Sequence, residues 1–105
     1  MATNTITLAT AQSWAAKWQS DPAHKIKAFL IPKEDITQLF QFDGVCDVRT
    51  YIGIDENGIQ KLMLVGVDAY GSDMINDAKQ QYIYDFTKLC PDFCDVRSPL
   101  FNPKP

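Results

Sequence analysis

The stretch that decides the fold runs Val45-Cys-Asp-Val-Arg-Thr-Tyr-Ile-Gly-Ile54, then Asp55-Glu-Asn-Gly58, then Ile59-Gln-Lys-Leu-Met-Leu-Val-Gly-Val-Asp68. β-Branched residues lie on both sides of an Asn-Gly step, and Asn57-Gly58 tolerates the positive φ angles of a tight type I′ turn, so a hairpin is expected. In its first strand Cys46, Val48, Thr50, Ile52 and Ile54 alternate with Asp47, Arg49, Tyr51 and Gly53, which assigns a core face and a wetter face. The second strand, Leu62 to Val67, is apolar on both faces, as expected for a strand at a sheet centre or covered on two sides.

Loop length sets the register. A two-residue Asn57-Gly58 loop places Ile52 opposite Met63, Thr50 opposite Val65 and Val48 opposite Val67 on one apolar face. The other face then pairs Tyr51 with Leu64, Arg49 with Gly66 and Asp47 with Asp68. A four-residue loop keeps this parity, whereas a three-residue loop flips one strand. Two like charges across a hairpin cost stability unless a cation lies between them, so Asp47, Arg49 and Asp68 are read as an ion pair cluster, with a small polar site as the alternative.

Working outward, Thr7 or Thr10 can cap a helix ending near Ser20, with Ala11, Trp14, Ala15 and Trp18 as its apolar stripe. The tryptophans are expected in the core rather than as a stacking platform for a sugar or base. Lys25 to Ile31 reads as a strand. Pro32 then opens a short helix with Glu34 and Asp35 in its first turn and Ile36, Leu39 and Phe40 as its stripe. Beyond Asp68, Ala-Tyr-Gly-Ser-Asp73 makes a second turn, Met74 to Gln81 is a short helix or polar loop, and Tyr82 to Phe86 is a last strand.

The 105 residues are 46% hydrophobic and 22% charged, which suits one folded domain with its own core. A formal charge of −3, with no basic stripe, argues against nucleic acid as a partner. The first residues carry neither a positive start nor a long apolar run, so no membrane association is expected. Three cysteines, an odd number, fit a reducing cytoplasm.

Chemical constellations are sparse. Ile52-Gly-Ile-Asp-Glu-Asn-Gly58 is echoed by Val65-Gly-Val-Asp-Ala-Tyr-Gly71, but the two segments lack EF-hand spacing and should cap opposite ends of the strands, so turn chemistry is preferred to calcium. Cys90 and Cys94 with Cys46 and His24 make an incomplete metal set. Reduced thiols are favoured over a Cys90–Cys94 disulfide, and the disulfide over metal. With one histidine, no Gly-x-Ser-x-Gly elbow and no His-Glu-x-x-His, a nucleophile–base pair has no obvious base, and no Gly-x-x-x-x-Gly-Lys phosphate loop is present, so the chain leans away from an enzyme.

Leu62-Met-Leu-Val-Gly-Val-Asp-Ala-Tyr-Gly-Ser-Asp73 and Ile83-Tyr-Asp-Phe-Thr-Lys-Leu-Cys-Pro-Asp-Phe-Cys-Asp95 together resemble small bacterial proteins of a family of unknown function, which share a Gly-Val-Asp turn and a Tyr-Asp-Phe segment ahead of a Cys-Pro pair. The resemblance covers the second half of the chain. It implies a compact bacterial cytosolic domain and transfers no catalytic residue.

The resulting expectation is an α+β domain over residues 1–105, with a mainly antiparallel sheet of about four strands, two amphipathic helices on one face, and an extended Pro-rich tail from about residue 96. Its expected core is Trp14, Trp18, Phe29, Ile31, Ile36, Leu39, Phe40, Val48, Ile52, Val65 and Val67. The favoured function is a noncatalytic interaction module that meets a second copy of itself, or else an unidentified protein partner, through Tyr51, Leu62 and Leu64 or through an exposed strand edge. The alternative is a small-molecule binder or enzyme with a pocket between helices and sheet, walled by Trp14 or Trp18 and using Asp47, Arg49 and Asp68.

Overall fold

The computed structural model describes residues 2–85, 88–90 and 94–103. Its elements run α1 (Leu8–Gln19), β1 (Ala28–Leu30), α2 (Lys33–Gln41), β2 (Asp47–Ile54), β3 (Gln60–Val67), β4 (Asp73–Met74), a 3-10 turn at Asp77–Lys79, and β5 (Lys88–Cys90). This is an α+β arrangement. β2, β3 and β4 form an antiparallel sheet in that order, and β1 pairs with β5 in a separate ribbon. The chain divides into two compact units, Met1–Ala28 with Leu89–Pro105, and Phe29–Lys88.

In the second unit, the hairpin forms where the sequence places it but in the other register. Asp55 closes the loop: its N–H donates to the Ile59 carbonyl at 2.9 Å, and its carboxylate Oδ1 accepts from the N–H groups of Asn57 and Ile59, each at 2.9 Å. Only Gly58 in the loop takes a positive φ, +78°, so the connection is a three-residue loop of Glu56, Asn57 and Gly58. A type I′ turn needs positive φ at both central residues; here one carboxylate satisfies the loop amides and makes the second unnecessary. The expected two-residue pairing is therefore corrected by one position. Tyr51 faces Met63, Arg49 faces Val65, Asp47 faces Val67, and Ile52 faces Leu62.

Asp68 repeats the same turn after β3. Its Oδ1 accepts from Tyr70 N–H at 2.9 Å and Ser72 N–H at 3.0 Å, and Gly71 takes φ +81°. The internal sequence repeat is thus one turn used twice, once at each end of β3.

β3 is the sheet's centre. Leu64, Val65 and Val67 are buried, and α2 packs on this strand through Leu39. Gly66 permits the approach: a Cβ there would stand 3.0 Å from Val45 Cγ2 and 3.8 Å from Leu39 Cδ2. On the far side of β3, Leu64 and Tyr84 exchange two backbone hydrogen bonds of 2.8 and 3.0 Å. This is a single bridge where a fourth strand over Tyr82 to Phe86 was expected; Phe86 lies outside the described residues. Several expected core positions are also corrected. Ile52 is 75% exposed, because α2 is short and β2 lies at the edge, while Phe40 and Ile31 are exposed at the surface. Phe29, Ile36 and Val48 are half-buried.

In the first unit, Thr7 caps α1 by accepting from the Thr10 N–H at 3.1 Å. The half-buried residues of the helix are Thr10, Ala11, Gln12, Ala15, Ala16 and Gln19, and Gln19 donates to the Leu100 carbonyl at 3.0 Å. Small alanines are the residues turned inward, and the expected burial of Trp14 and Trp18 is corrected to the exposed flank. Trp18 is held there by its indole N–H, which donates to the Ile26 carbonyl at 2.6 Å, and by the His24 ring stacked 3.5 Å away. Residues 95–102 form consecutive turns where an extended tail was expected: the Ser98 N–H returns to the Asp95 carbonyl and the Phe101 N–H to the Ser98 carbonyl. Lys27 secures them, donating to the Phe101 carbonyl at 3.2 Å with its ammonium 4.1 Å from the Phe101 ring centre. Cys90 and Cys94 form a disulfide in place of the expected free thiols, their Cα atoms 4.9 Å apart, and Cys46 is free.

Candidate functional site

The sequence-predicted residues of the hairpin face separate once the register is known. Asp68 is consumed by its own turn, and Asp47 lies opposite Val67. Leu64 is fully buried and Leu62 half-buried, so neither offers the apolar outer surface expected of them. Arg49 and Tyr51 remain together, two positions apart on one face of β2.

Their shared partner is Asp73, which the sequence reading missed. The second Asp turn folds β4 back along β3 and sets Asp73 opposite Val67, on the face that already carries Arg49 and Tyr51. The Arg49 guanidinium donates to Asp73 Oδ1 and the Tyr51 hydroxyl to Asp73 Oδ2. Arg49 also donates to the Gly71 carbonyl at 3.3 Å. The network thus bridges β2 and β4 across β3, on the side toward which Val65 and Val67 project. The alternation Arg-x-Tyr and an Asp two residues past the turn glycine were the available signals, but they combine only when two hairpin registers are known.

The electrostatics make this a structural bridge. The hydrogen bond from Tyr51, followed by that from Arg49, holds the Asp73 carboxyl below its ordinary value of 3.8. The hydrogen bond to Asp73 raises the Tyr51 phenol above its ordinary value of 10.0 and holds the Arg49 guanidinium still more firmly protonated than usual. A stabilised carboxylate is a poor general acid, a phenol held neutral is a poor nucleophile, and a guanidinium already engaged by Asp73 is not a free anion receptor. None of Asp47, Arg49 and Asp68 lines the hollow between α2 and the sheet.

What the hairpin does expose is its other side. Because Asp55 and Ile59 close the loop as a hydrogen-bonded pair, ladder alternation gives the paired amides of β2 to its odd-numbered residues and turns those of Val48, Thr50 and Ile52 outward. Both Asp47 and Cys46 lie against Val67, the Cys46 N–H donating to the Val67 carbonyl at 2.8 Å, so a bulge marks one end of this edge. At the other end Ile52, Ile54 and Ile59 are exposed.

Among the described residues no group of three or more His, Cys, Asp or Glu side chains could hold a metal, and no helix is long and apolar enough to cross a membrane. Neither a protein-family model, nor a curated protein, nor a solved structure matches the chain.

Proposed function

We propose that the protein is a noncatalytic interaction module that forms a homodimer through the outer edge of β2. The observation that carries this reading is the edge itself: an eight-residue strand whose outer side has no partner among the described residues and whose exposed tip is isoleucine-rich. Exposed edges are ordinarily blunted by lysine, proline or inward-pointing charge. β2 carries no lysine or proline, and its one basic residue, Arg49, is tied to Asp73.

A second copy is a suitable partner because a twofold axis perpendicular to the sheet, midway between Thr50 and its counterpart in the second copy, makes the edge self-complementary. It sets Val48 against Ile52 of the second copy and Arg49 beside its Tyr51, with the outward amides of Val48, Thr50 and Ile52 in register for pairing. The bulge limits the ladder to this central segment. The Cys90–Cys94 disulfide favours an oxidising compartment for this module over the cytoplasm expected from the sequence.

Light scattering on the eluting protein tests the proposal. Wild type is expected at twice the protomer mass, and Thr50→Pro, which removes an outward N–H without touching the β2–β3 ladder, is expected at the protomer mass with its fold retained. A wild-type protein that elutes as a monomer overturns the reading.

A further inference from the structure

We infer that the hollow between α2 and the sheet is a binding site for a small neutral ring bearing hydroxyl or amide groups, of the size of a single pyranose. It lies wholly within the unit Phe29–Lys88 and is independent of the β2 edge. Its volume is ≈ 240 Å³, just below the usual range for drug-sized ligands and therefore suited to one ring.

The floor is apolar: Leu39 from α2, Val45, Gly66 of β3 and Met74 of β4. Four carboxamides line it as well, Gln38 and Gln41 from α2 and Gln80 and Gln81 from the turn that follows β4. None of these side chains makes a hydrogen bond within the protein among the described residues. Phe42, Tyr82 and Tyr84 supply aromatic surface, and Tyr82 is 44% exposed at the mouth. No lysine, arginine, aspartate or glutamate is among the lining residues.

That lining selects by chemistry. Each carboxamide offers both a donor and an acceptor, which matches a hydroxyl offering the same pair. An anion would meet no cation here and a cation no carboxylate, so either would lose its hydration without a compensating charge. Hydrogen-bonding groups dispersed around an apolar floor suit a ring that carries its polar groups around its perimeter and one C–H face for an aromatic side chain. A nucleobase, with hydrogen bonds only at its edges and two flat faces to cover, fits this distribution less well.

The backbone supplies an independent observation. Gln80 sits at φ 64°, ψ 28°, in the left-handed region that a residue with a Cβ disfavours. The strained turn is closed by a pair of 2.9 Å hydrogen bonds between Asn76 and Gln81, and it directs Gln80, Gln81 and Tyr82 to the rim of the hollow. Strain retained at the lip of a cavity is the pattern of a pre-organised site.

The test is a backbone-amide NMR titration of the whole chain with N-acetylglucosamine, repeated with glucosamine, glucuronate and adenosine. N-acetylglucosamine is expected to shift the amides of residues lining the hollow, with a dissociation constant on the order of millimolar, as befits one ring and few hydrogen bonds. The charged sugars are expected to bind at least about tenfold more weakly. Gln81→Leu and the exposed-site variant Tyr82→Ala should each weaken the neutral sugar about fivefold or more while leaving the melting temperature near wild type. Absence of shifts at high N-acetylglucosamine, equal binding of the charged sugars, or tighter binding of adenosine overturns the assignment. Because Thr50→Pro leaves the hollow intact, a failed dimer and a failed ligand site are separately readable.

Discussion

The two strands of the hairpin have similar compositions and opposite environments. β3 holds Leu64, Val65 and Val67 away from solvent, with β2 on one side and β4 and Tyr84 on the other, whereas β2 leaves Ile52 75% and Ile54 71% exposed. β-Branched character alone therefore says that a segment is a strand and does not say whether it is a core. Burial is decided by what lies beside and above the strand: α2 is nine residues long and packs on β3 near Leu39 and Gly66, beyond the reach of the hairpin tip.

Truncation should give the widest separation between the two strands. Leu64→Ala is expected to lose about 2–5 kcal/mol in chemical denaturation, and Ile52→Ala no more than about 0.5 kcal/mol in dilute monomer. Equal losses would mean that the tip of β2 is covered in the folded protomer. The glycines of the two strands offer a finer contrast. A methyl added by Gly66→Ala meets Val45 Cγ2 at 3.0 Å in a packed layer, with an expected cost of about 1–3 kcal/mol. Gly53→Ala meets only the terminal carbon of Met63, which can swing aside, so its effect should be a few tenths of a kcal/mol at most.

The smallest effect belongs to the bridge over β3, and its signature is its dependence on pH. Asp73 titrates below its ordinary value, so its contribution is complete above pH 3.8 and is lost as pH falls through the depressed folded value. Tyr51 titrates above its ordinary value, so its contribution is complete below pH 10.0 and is lost as pH rises through the raised folded value. Melting temperature should therefore be level in this respect between those limits and fall outside them. Asp73→Asn should flatten the acid limb and Tyr51→Phe the alkaline one; an Asp73→Asn acid limb as steep as wild type would assign the acid sensitivity to another group.

Much of this was legible in the residues. The Asn-Gly step located the hairpin, the continuous apolar run marked β3 as the interior strand, and Thr7 and Pro32 marked the helix starts. The Asp-x-x-Gly repeat reads as turn chemistry, and Asp55 and Asp68 each form that turn with the same pair of carboxylate contacts. The candidate bridge is half legible: the sequence singles out Arg49 and Tyr51 but pairs Arg49 with Asp47 and Asp68 and gives Tyr51 no carboxylate, whereas both donate to Asp73. A strand has a side-chain period of two, so one residue more or less in the loop exchanges every cross-strand neighbour.

The same distinction holds for the tryptophans. Their spacing announces a helix, and α1 is there, but a stripe containing both Ala11 and Trp14 can turn either its small or its large members inward. Here the alanines lie toward Leu100 and its turns, and the indole of Trp18 finds a backbone carbonyl at the surface. Local chemistry, meaning caps, turn carboxylates and hydrophobic periodicity, was written in the chain because it acts between residues a few positions apart. Register, the partner of Arg49, the open edge of β2 and the glutamine-rimmed hollow were settled by folding, because each depends on segments far apart in sequence whose meeting is set by a single loop amide or a single close contact.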